Sequence, residues 1–478
     1  MFVENHYLCS QIYLTKPIFM KKFLLSICAM LVVGTAAAQD LKKATLYVPE
    51  FDAEYMEGML GTIYGVSANG EYAAGYDDFA ESCAFIWKRS TGKFEEVDLA
   101  SMIMDVSNNG TFVGNYYVEV PGTDGAVATR PGYYKDGVWY PLPILRAEAK
   151  LTLYGGAADD MNGCAMAISG DAKFISGYIT DADVYKLYPA LWQWNEETQE
   201  YDLINTFENI QENIDKLGCP YGWVVKGMSD DGSILTGFSE WGSGARSAAI
   251  IINGEEKRLT CLEDPWEVAA QTGVDGYMDA EGYAQVSANG QYFAGFYASS
   301  GNNSNLSGWT WTVDQESVVF TAPYTALTCV DNNGVAYGSS SLMGNAAMYK
   351  DGVMTDLSDL YAWDSVKDAY MSTIFAASND GGVLGGIAMV SFSMAPMQIP
   401  AVLIVDGTEG VNTVKGDSNK VFMASGWAFI EGAYNEARVY NMQGVLVAEA
   451  TEGNIDLNNV PAGVYVVSVD GQSFKVVK

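Results

Sequence analysis

A short phrase recurs seven times along the chain, and it constrains the fold more than any other feature of the sequence. Each copy holds a serine or aspartate, two turn-forming residues, a glycine, a few further residues and a second glycine. The copies read VSANGEYAAGY at 66–76, VSNNGTFVGNY at 106–116, ISGDAKFISGY at 168–178, MSDDGSILTGF at 228–238, VSANGQYFAGF at 286–296, VDNNGVAYGSS at 330–340 and ASNDGGVLGGI at 377–387. In the third copy, Ala172 replaces the first glycine. Such a repeat predicts stacked structural units.

Each copy is interpreted as a hairpin. Asn-Gly and Asp-Gly pairs supply the positive φ angles that a tight two-residue turn needs. The second glycine lies in a strand context, where it predicts a close approach of two backbones. These glycines are Gly75, Gly114, Gly177, Gly237, Gly295, Gly338 and Gly386. A second pair of strands follows most copies, as in AAMYKDGVMTDL, so each unit is expected to hold about four strands.

The predicted fold class is therefore all-β: a β-propeller of about seven four-stranded blades, followed by a small Ig-like β-sandwich. The propeller is placed at residues 45–408, a linker at 409–420 and the sandwich at 421–478. The 50 glycines and an aromatic content of 13% agree with many short strands joined by tight turns.

The balance of charge excludes one class of partner. Lysine and arginine total 26 against 59 aspartates and glutamates, which gives a formal net charge of −33. A chain with this charge repels nucleic acid and anionic lipid, so nucleic-acid binding is rejected.

The N-terminal segment has the pattern of a secretory signal. In residues 20–38, MKKFLLSICAMLVVGTAAA, two lysines precede an apolar run that is too short to span a bilayer. Ala36 and Ala38 satisfy the small-residue rule for cleavage. Met20 is interpreted as the true start and residues 1–19 as a leader, the alternative being that the leader extends the signal. The mature chain has no apolar run that predicts a transmembrane helix.

The mature chain also lacks histidine, because the single histidine, His6, lies in the leader. This excludes Ser-His-Asp and Cys-His nucleophiles and metal sites with histidine ligands. The remaining cysteines form no CxxC pair and are interpreted mainly as buried free thiols, with one disulfide as the alternative. They are Cys83, Cys164, Cys219, Cys261 and Cys329.

The last part of the chain is predicted to be a β module. Its alternating pattern predicts strands at 437–441, 445–448, 464–469 and 474–477. The runs Tyr440-Asn441-Met442-Gln443-Gly444, Ile455-Asp456-Leu457, Pro461-Ala462-Gly463-Val464-Tyr465 and Lys475-Val476-Val477-Lys478 closely resemble the C-terminal sorting domain of the Bacteroidetes type IX secretion system.

This resemblance implies export by the type IX machinery to the outer cell surface or the extracellular space of a Gram-negative bacterium. The motif residues that it implies are Gly444, Pro461, Gly463, Tyr465, Lys475 and Lys478. The alternative is an Ig-like accessory module without a sorting role. The run AAMYKDGVMTDLSDL and the repeated phrase also resemble the extracellular repeats called the HAF family over roughly residues 60–405. That second resemblance implies a repeat β fold and no particular activity.

Aromatic residues in the irregular inserts are the candidate ligand-binding residues: Tyr221, Trp223, Trp241 and Trp363. Tryptophans in predicted strands are interpreted as core residues instead; these are Trp87, Trp192, Trp194, Trp309 and Trp311. Turn pairs such as Asp230-Asp231 offer oxygen ligands for calcium, but turn chemistry alone explains them. No cofactor, metal site or catalytic residue is therefore assigned.

The favoured function is a non-catalytic binding module for a glycan, a peptide or a protein partner. The alternative is a secreted polysaccharide hydrolase or lyase that uses aspartate, glutamate or tyrosine. The centre of the fold discriminates between the two, because converging carboxylates with a tyrosine favour an enzyme, whereas an apolar plug favours a binding module.

Overall fold

In a computed structural model, the part of the chain from Lys42 onward is built mainly of β-strands. The structure describes residues 41–49, 51–52, 57–58, 60–77, 84–145, 151, 162–180, 187–207, 222–240, 246–257, 282–298, 306–340, 344–363, 369–391, 396–405, 420–424, 427–431, 437–441, 446–450, 455–457, 460–461, 464–469 and 472–477. The proposed leader, the signal peptide with Ala36 and Ala38, and most of the linker lie outside these residues.

The first half of the unit is a succession of antiparallel sheets. Strand β1 (Lys42–Tyr47) is followed by a small hairpin, β2 (Phe51–Asp52) and β3 (Glu57–Gly58). Sheet I holds β4 (Thr62–Val66), β5 (Tyr72–Tyr76), β6 (Ala84–Lys88) and β7 (Lys93–Val97). Sheet II holds β8 (Ala100–Val106), β9 (Phe112–Glu119), β10 (Val127–Lys135) and β11 (Val138–Pro141).

Sheets III and IV follow the same pattern. Sheet III holds β12 (Gly163–Ile168), β13 (Phe174–Thr180), β14 (Leu187–Asn195) and β15 (Glu200–Asn205). Sheet IV holds β16 (Gly222–Met228), β17 (Ile234–Glu240), β18 (Arg246–Ile252) and β19 (Glu255–Lys257). One parallel bridge, between Leu187 and Gly222, connects these two sheets.

The second half adds three further sheets. Sheet V holds β20 (Gly282–Val286), β21 (Tyr292–Ala298), β22 (Leu306–Thr312) and β23 (Val319–Pro323). Sheet VI holds β24 (Ala326–Val330), β25 (Ala336–Ser339), β26 (Ala346–Lys350) and β27 (Val353–Asp356), after which Leu357–Asp359 forms a short 3-10 helix. Sheet VII contains β28 (Tyr361–Trp363), β29 (Ala369–Ala377), β30 (Val383–Ser391) and β31 (Pro396–Val405).

Sheet VII is completed by the beginning of the chain. Strand β1 lies between β28 and β31 and pairs antiparallel with β31, Ala44 opposite Val405 and Tyr47 opposite Val402. The first described strand therefore closes the last sheet of this series.

The C-terminal residues form two smaller sheets. The first holds β32 (Lys420–Ala424), β33 (Trp427–Glu431) and β36 (Ile455–Asp456), and the second holds β34 (Ala437–Asn441), β35 (Leu446–Ala450), β37 (Val464–Val469) and β38 (Gln472–Val477). Ala428 and Ile455 of the first sheet share a buried cluster with Val439 and Val467 of the second. Strands predicted from the alternation in this region agree with the observed strands to within about two residues.

The innermost strands of the seven sheets form a closed circuit; they are the first strands of sheets I to VI and β29 of sheet VII. Each contacts the next, from β4 through β8, β12, β16, β20 and β24 to β29, and β29 contacts β4 again. These strands are called the inner strands below. The fold is therefore all-β, and its succession of four-stranded sheets around a common centre fits a β-propeller.

Neighbouring sheets share the hydrophobic core. Trp192 of sheet III packs with Val113 and Tyr133 of sheet II, and Trp87 of sheet I packs with Val402 of sheet VII. The side chains of Trp87, Trp192, Trp309 and Trp311 are at most 2% exposed, which confirms that these four rings are core residues. Burying an aromatic side chain of this size stabilises the fold by about 2–3 kcal/mol, so the contacts between sheets carry much of the stability.

The second glycine of the repeated phrase permits close contact with the inner strand, as predicted. A β-carbon built on Gly75 would lie 2.9 Å from Cα of Ile63, and the Thr62 carbonyl oxygen would be nearer still. Gly114, Gly177, Gly237, Gly338 and Gly386 face the same obstruction from their own inner strands. Alanine at these positions would therefore require movement of a backbone.

The reason for this close approach is a β-bulge in the inner strand. In six of the seven inner strands the register shifts directly after the residue that faces the glycine, which inserts one extra residue. The inserted residues are Tyr64, Met104, Met166, Lys226, Thr328 and Phe375. In β20 the pairing continues without a shift past Gln285. A bulge redirects side chains and bends the strand.

The turn of the repeated phrase differs from the two-residue turn predicted above. Gly70 N–H donates to Ser67 O at 2.8 Å, and the strand pairing resumes where Ser67 N–H donates to Tyr72 O at 2.9 Å, so the loop is longer. Only the glycine has a positive φ, +68° at Gly70, and Ala172 adopts φ 60° in its place. Asn69 instead accepts the Ser67 hydroxyl at 2.8 Å through its side chain. The asparagine therefore acts as a hydrogen-bond partner within the turn.

The two-residue turn does occur elsewhere, in the outer hairpins. Asp136-Gly137, Asn253-Gly254 and Asp351-Gly352 each have positive φ at both residues. This is the type I′ geometry that matches the twist of a hairpin.

Candidate functional site: the axial channel

A channel of about 250 Å³ runs between the inner strands. All six bulge residues and Gln285 of β20 line it. Because each bulge adds a residue at the same point of its strand, six sheets each contribute one bulge residue to the channel, and β20 contributes Gln285 without a bulge. The bulges are therefore the structural feature that furnishes this site.

The seven side chains divide the channel into two arcs. Phe375, Tyr64, Met104 and Met166 come from consecutive sheets, VII, I, II and III, and form an apolar arc. The rings of Tyr64 and Phe375 lie 5.6 Å apart. Lys226, Gln285 and Thr328 come from sheets IV, V and VI and form a polar arc. These seven side chains therefore place apolar and polar groups on different sides of the channel, with Asp105 of sheet II as a charged residue beside the apolar arc.

The polar arc is positioned by contacts between sheets. Gln285 Nε2 donates to the Lys226 carbonyl oxygen at 3.1 Å, which ties sheet V to sheet IV. The Thr328 hydroxyl donates to the Ile374 carbonyl oxygen, which ties sheet VI to sheet VII. These bonds hold the polar side chains in place at the channel wall.

Asp105 also lines the channel, and both of its oxygens are engaged. Oδ1 accepts the Val106 N–H at 2.8 Å, and Oδ2 accepts the Ile168 N–H of sheet III at 2.9 Å. Burial raises the pKa of Asp105 to about 7, although the two N–H donors oppose the shift. Asp105 is therefore a bridge between sheets II and III that titrates near neutrality.

The turns of the repeated phrase close one end of the channel. A ring of hydrogen bonds joins each turn to the next: Asn69 N–H to Asn108 Oδ1, Asn108 N–H to Gly170 O, Gly170 N–H to Asp230 Oδ1, Asp230 N–H to Ala288 O, Asn289 N–H to Asn332 Oδ1, Asn332 N–H to Asn379 O and Asn379 N–H to Ala68 O. The described turns thus form an unbroken ring. Burial raises the pKa of Asp230, a member of this ring.

Side chains of the ring meet at the axis. A β-carbon built on Gly170 would lie 3.0 Å from Asn108 Nδ2 and 3.2 Å from Ala68 Cβ. Glycine is therefore the residue that fits at this point without moving its neighbours.

The strand ends that the long connections join lie at the end away from the turn ring. In each antiparallel sheet, the first strand begins and the fourth strand ends at the end away from the turn ring. The connections from Pro141 to Gly163, from Asn205 to Gly222 and from Lys257 to Gly282 therefore all join strands there. Two of the predicted ligand-binding residues, Tyr221 and Trp241, lie outside the described residues.

The other two predicted ligand-binding residues are not in the channel lining. Trp223 is fully buried and packs with Leu191, Val225 and Leu235, which corrects its assignment to an accessible site. It belongs to β16 rather than to an irregular connection. Trp363 is half-buried at the end of β28, against the core of sheets VI and VII. Trp194, predicted to be core, is half-buried instead.

Sequence reasoning missed the bulge residues, although a signal for them exists. Each lies three positions before the serine or aspartate of its phrase, as Tyr64 precedes Ser67 and Thr328 precedes Asp331. An extra residue in a strand disturbs its alternation, but these strands are apolar on both faces.

The predicted cysteines and C-terminal motif residues lie partly within the described residues and partly outside them. Cys164 and Cys329 are buried free cysteines, as predicted, whereas Cys83, Cys219 and Cys261 lie outside the described residues. The Tyr465 hydroxyl donates to Pro461 O at 2.5 Å in the C-terminal module. Lys475 lies in β38, and Gly444, Gly463 and Lys478 are outside the described part of the chain.

The described residues contain neither a cluster of metal-binding side chains nor a helix that could span a membrane. They contain no group of three or more histidine, cysteine, aspartate or glutamate side chains arranged to hold a metal ion. In that same part of the chain, no helix has the length and apolar character needed to cross a bilayer.

Comparisons with known proteins identify no family. No protein-family model and no curated protein matches the chain. Solved structures that resemble it include polysaccharide lyase Uly1, at 10% identity and TM-score 0.40, covering 76% of this chain and 99% of that one. The β-propeller domain of the Trilobed protease from Pyrococcus furiosus matches at 9% identity and TM-score 0.38, covering 71% and 97%. TolB from Acinetobacter baumannii matches at 12% identity and TM-score 0.31, covering 71% and 81%.

Proposed function

We propose that the chain is a secreted, seven-bladed β-propeller that binds a ligand in its axial channel, without catalysis. Sheets I to VII are the blades, and β1 closes the circle. The observation that carries this proposal is the division of the channel into an apolar and a polar arc. Ligand sites are typically concave and mostly apolar, with a few placed polar groups. A glycan terminus or a peptide side chain, each with an apolar face and a polar edge, suits such a channel.

The competing proposal is a hydrolase or lyase that acts on polysaccharide. It is favoured by Tyr64 and Asp105, which line the same channel, and by a pKa near 7 that suits a general acid or base. It is disfavoured because both Asp105 oxygens already accept backbone N–H groups. A carboxylate that bridges two sheets is poorly placed to exchange protons with a substrate.

Binding is tested with the purified chain on an array of glycans and a library of peptides. The variants are Lys226→Met and Phe375→Ala, one from each arc, with Lys350→Met as the matched control because Lys350 is exposed on β26. We expect at least one ligand to be retained by the control and weakened tenfold or more by both channel variants.

Two results would oppose this function. If the native chain, the two channel variants and the control all bind the ligand equally well, the channel is not the binding site. Cleavage of a polysaccharide that is abolished by Tyr64→Phe would favour the enzyme instead, because this change deletes only the phenolic hydroxyl.

We further propose that the C-terminal module, residues 421–478, is an Ig-like sorting domain of the type IX system. The two small sheets around one core, and the motif residues Pro461, Tyr465 and Lys475, support this. Deletion of residues 421–478 should retain the protein in the periplasm of a type IX-competent bacterium, as measured by cell fractionation. Secretion of the shortened chain at the normal level would contradict it.

A further inference from the structure

A groove between sheets II and III lies at the turn end of the molecule, between the outer hairpins of the two sheets. It encloses about 430 Å³. Its walls are the outer hairpin of sheet II, with Tyr133 and Tyr140, and the outer hairpin of sheet III, with Trp194 and Tyr201. The volume is in the range of small-ligand sites.

Four aromatic rings cross this groove in one series. Tyr140 stacks on Tyr133 at 4.9 Å and 14°, and Tyr133 meets the edge of Tyr201 at 5.1 Å. Trp194 meets Tyr201 from the other side at 5.1 Å and 71°. Tyr133 and Tyr201 are buried, whereas Tyr140 is 41% exposed and Trp194 is half-buried. The two inner rings thus form a fixed base, and the two outer rings are available to a ligand.

The base of the groove is held rigidly. The Tyr201 hydroxyl donates to Ala172 O at 2.6 Å. Ala172 has φ 60° and Gln199 has φ 58°, conformations that side-chain-bearing residues rarely adopt. Both residues line the groove. The residues around the aromatic series are therefore kept in fixed positions.

The rim of the groove is polar, with both signs of charge. Lys173 and Asp171 form an exposed ion pair at 2.6 Å, and Lys135, Asp136 and Glu196 complete the charged part of the rim. Donors and acceptors are both present, and the charges nearly cancel. This composition does not select for a strongly charged ligand.

We infer that this groove is a second binding site and that it takes a neutral saccharide of one or two rings. A pyranose ring has an apolar C–H face that suits the exposed ring of Tyr140 or Trp194. Its edge carries hydroxyl groups that both donate and accept, which matches the mixed rim. The site is distinct from the channel, because the two share no lining residue.

The test measures binding of gluco-, galacto- and manno-configured disaccharides to the full chain by isothermal titration. We expect at least one disaccharide to bind and Tyr140→Ala to weaken it tenfold or more. Tyr140→Phe keeps the ring and should retain the affinity to within about threefold, since stacking supplies most of the contact. Tyr370→Ala is the matched control, because Tyr370 is 40% exposed at a distant site on β29.

The outcomes separate this site from the channel. Weakening by Tyr140→Ala and by Trp194→Ala, which each remove a stacking ring, but not by Lys226→Met, supports the groove. Weakening by Lys226→Met alone would assign the saccharide to the channel and overturn the groove. The absence of binding by every disaccharide would overturn it as well, and a thermal scan of Tyr140→Ala checks that the variant is folded.

Discussion

Replacement of Gly75 by alanine tests the coupling between the repeated glycine and the bulge. Gly75 is not among the residues with positive φ, so alanine meets no backbone strain of its own. Its β-carbon would instead lie 2.9 Å from Cα of Ile63. Carbon atoms in contact are ordinarily about 3.5–4.0 Å apart, so relief of this contact alone requires β4 to withdraw from β5 by close to an ångström, and the nearer Thr62 carbonyl oxygen requires more.

The size of this displacement determines how much stability Gly75→Ala loses. Overpacking in a close-packed interior costs about 1–3 kcal/mol, and the obstructing atoms here belong to a strand that cannot rotate away. We expect Gly75→Ala to lower the free energy of unfolding by about 3 kcal/mol. Tyr64 follows directly after Ile63, so the same movement would displace it in the channel.

The measurement is equilibrium unfolding in urea, followed by tryptophan fluorescence. Gly122→Ala is the control, because Gly122 has φ +82° and no atom within 4 Å of a built β-carbon. It should cost about 1 kcal/mol through its backbone conformation alone. If Gly75→Ala is no more destabilising than Gly122→Ala, the steric reasoning is wrong.

Two further predictions concern buried titratable groups. Asp105 binds its proton more tightly in the folded protein, with a pKa of about 7 against 3.8, so the native chain should lose stability as the pH rises from 4 to 8. The Asp105→Asn side chain cannot ionise, so the free energy of unfolding of this variant, relative to that of the native chain, should rise between pH 4 and pH 8 by up to about 4 kcal/mol. Urea unfolding measured across this pH range tests this, and a difference between the two proteins that does not change with pH would contradict it. Burial raises the pKa of the Cys329 thiol. Cys329 and Cys164 should therefore resist alkylation at pH 8 until urea unfolds the chain, as mapped by mass spectrometry, and rapid labelling of either in the native state would oppose their burial.

Local features of the fold could be predicted from the sequence because they depend on neighbouring residues. Gly75 and its equivalents lie in strands and permit a close approach, as their context indicated. Trp87, Trp192 and Trp311 are buried at matching positions of their sheets. The all-β class followed from the repeated hairpins, whose strands need only short-range pairing.

Features that depend on distant residues could not be predicted in this way. The pairing of β1 with β31 joins segments from opposite ends of the chain. The bulge at Tyr64 shifts the register by one residue in a strand that is mostly buried on both faces, where alternation carries no signal. The sequence around Trp223 indicates an irregular insert, but Trp223 belongs to β16, which pairs with β17, so the residue lies inside a sheet.

The position of β1 in sheet VII has a consequence for biosynthesis. Ribosomes release Lys42–Tyr47 early, whereas its neighbour Pro396–Val405 emerges only after all the intervening sheets have been translated. Until then β1 lacks its antiparallel partner β31, and its backbone N–H and C=O groups on that edge are unpaired. Contacts between segments this far apart in the sequence form slowly. The circuit of seven sheets therefore stays open until residues 396–405 have been synthesised.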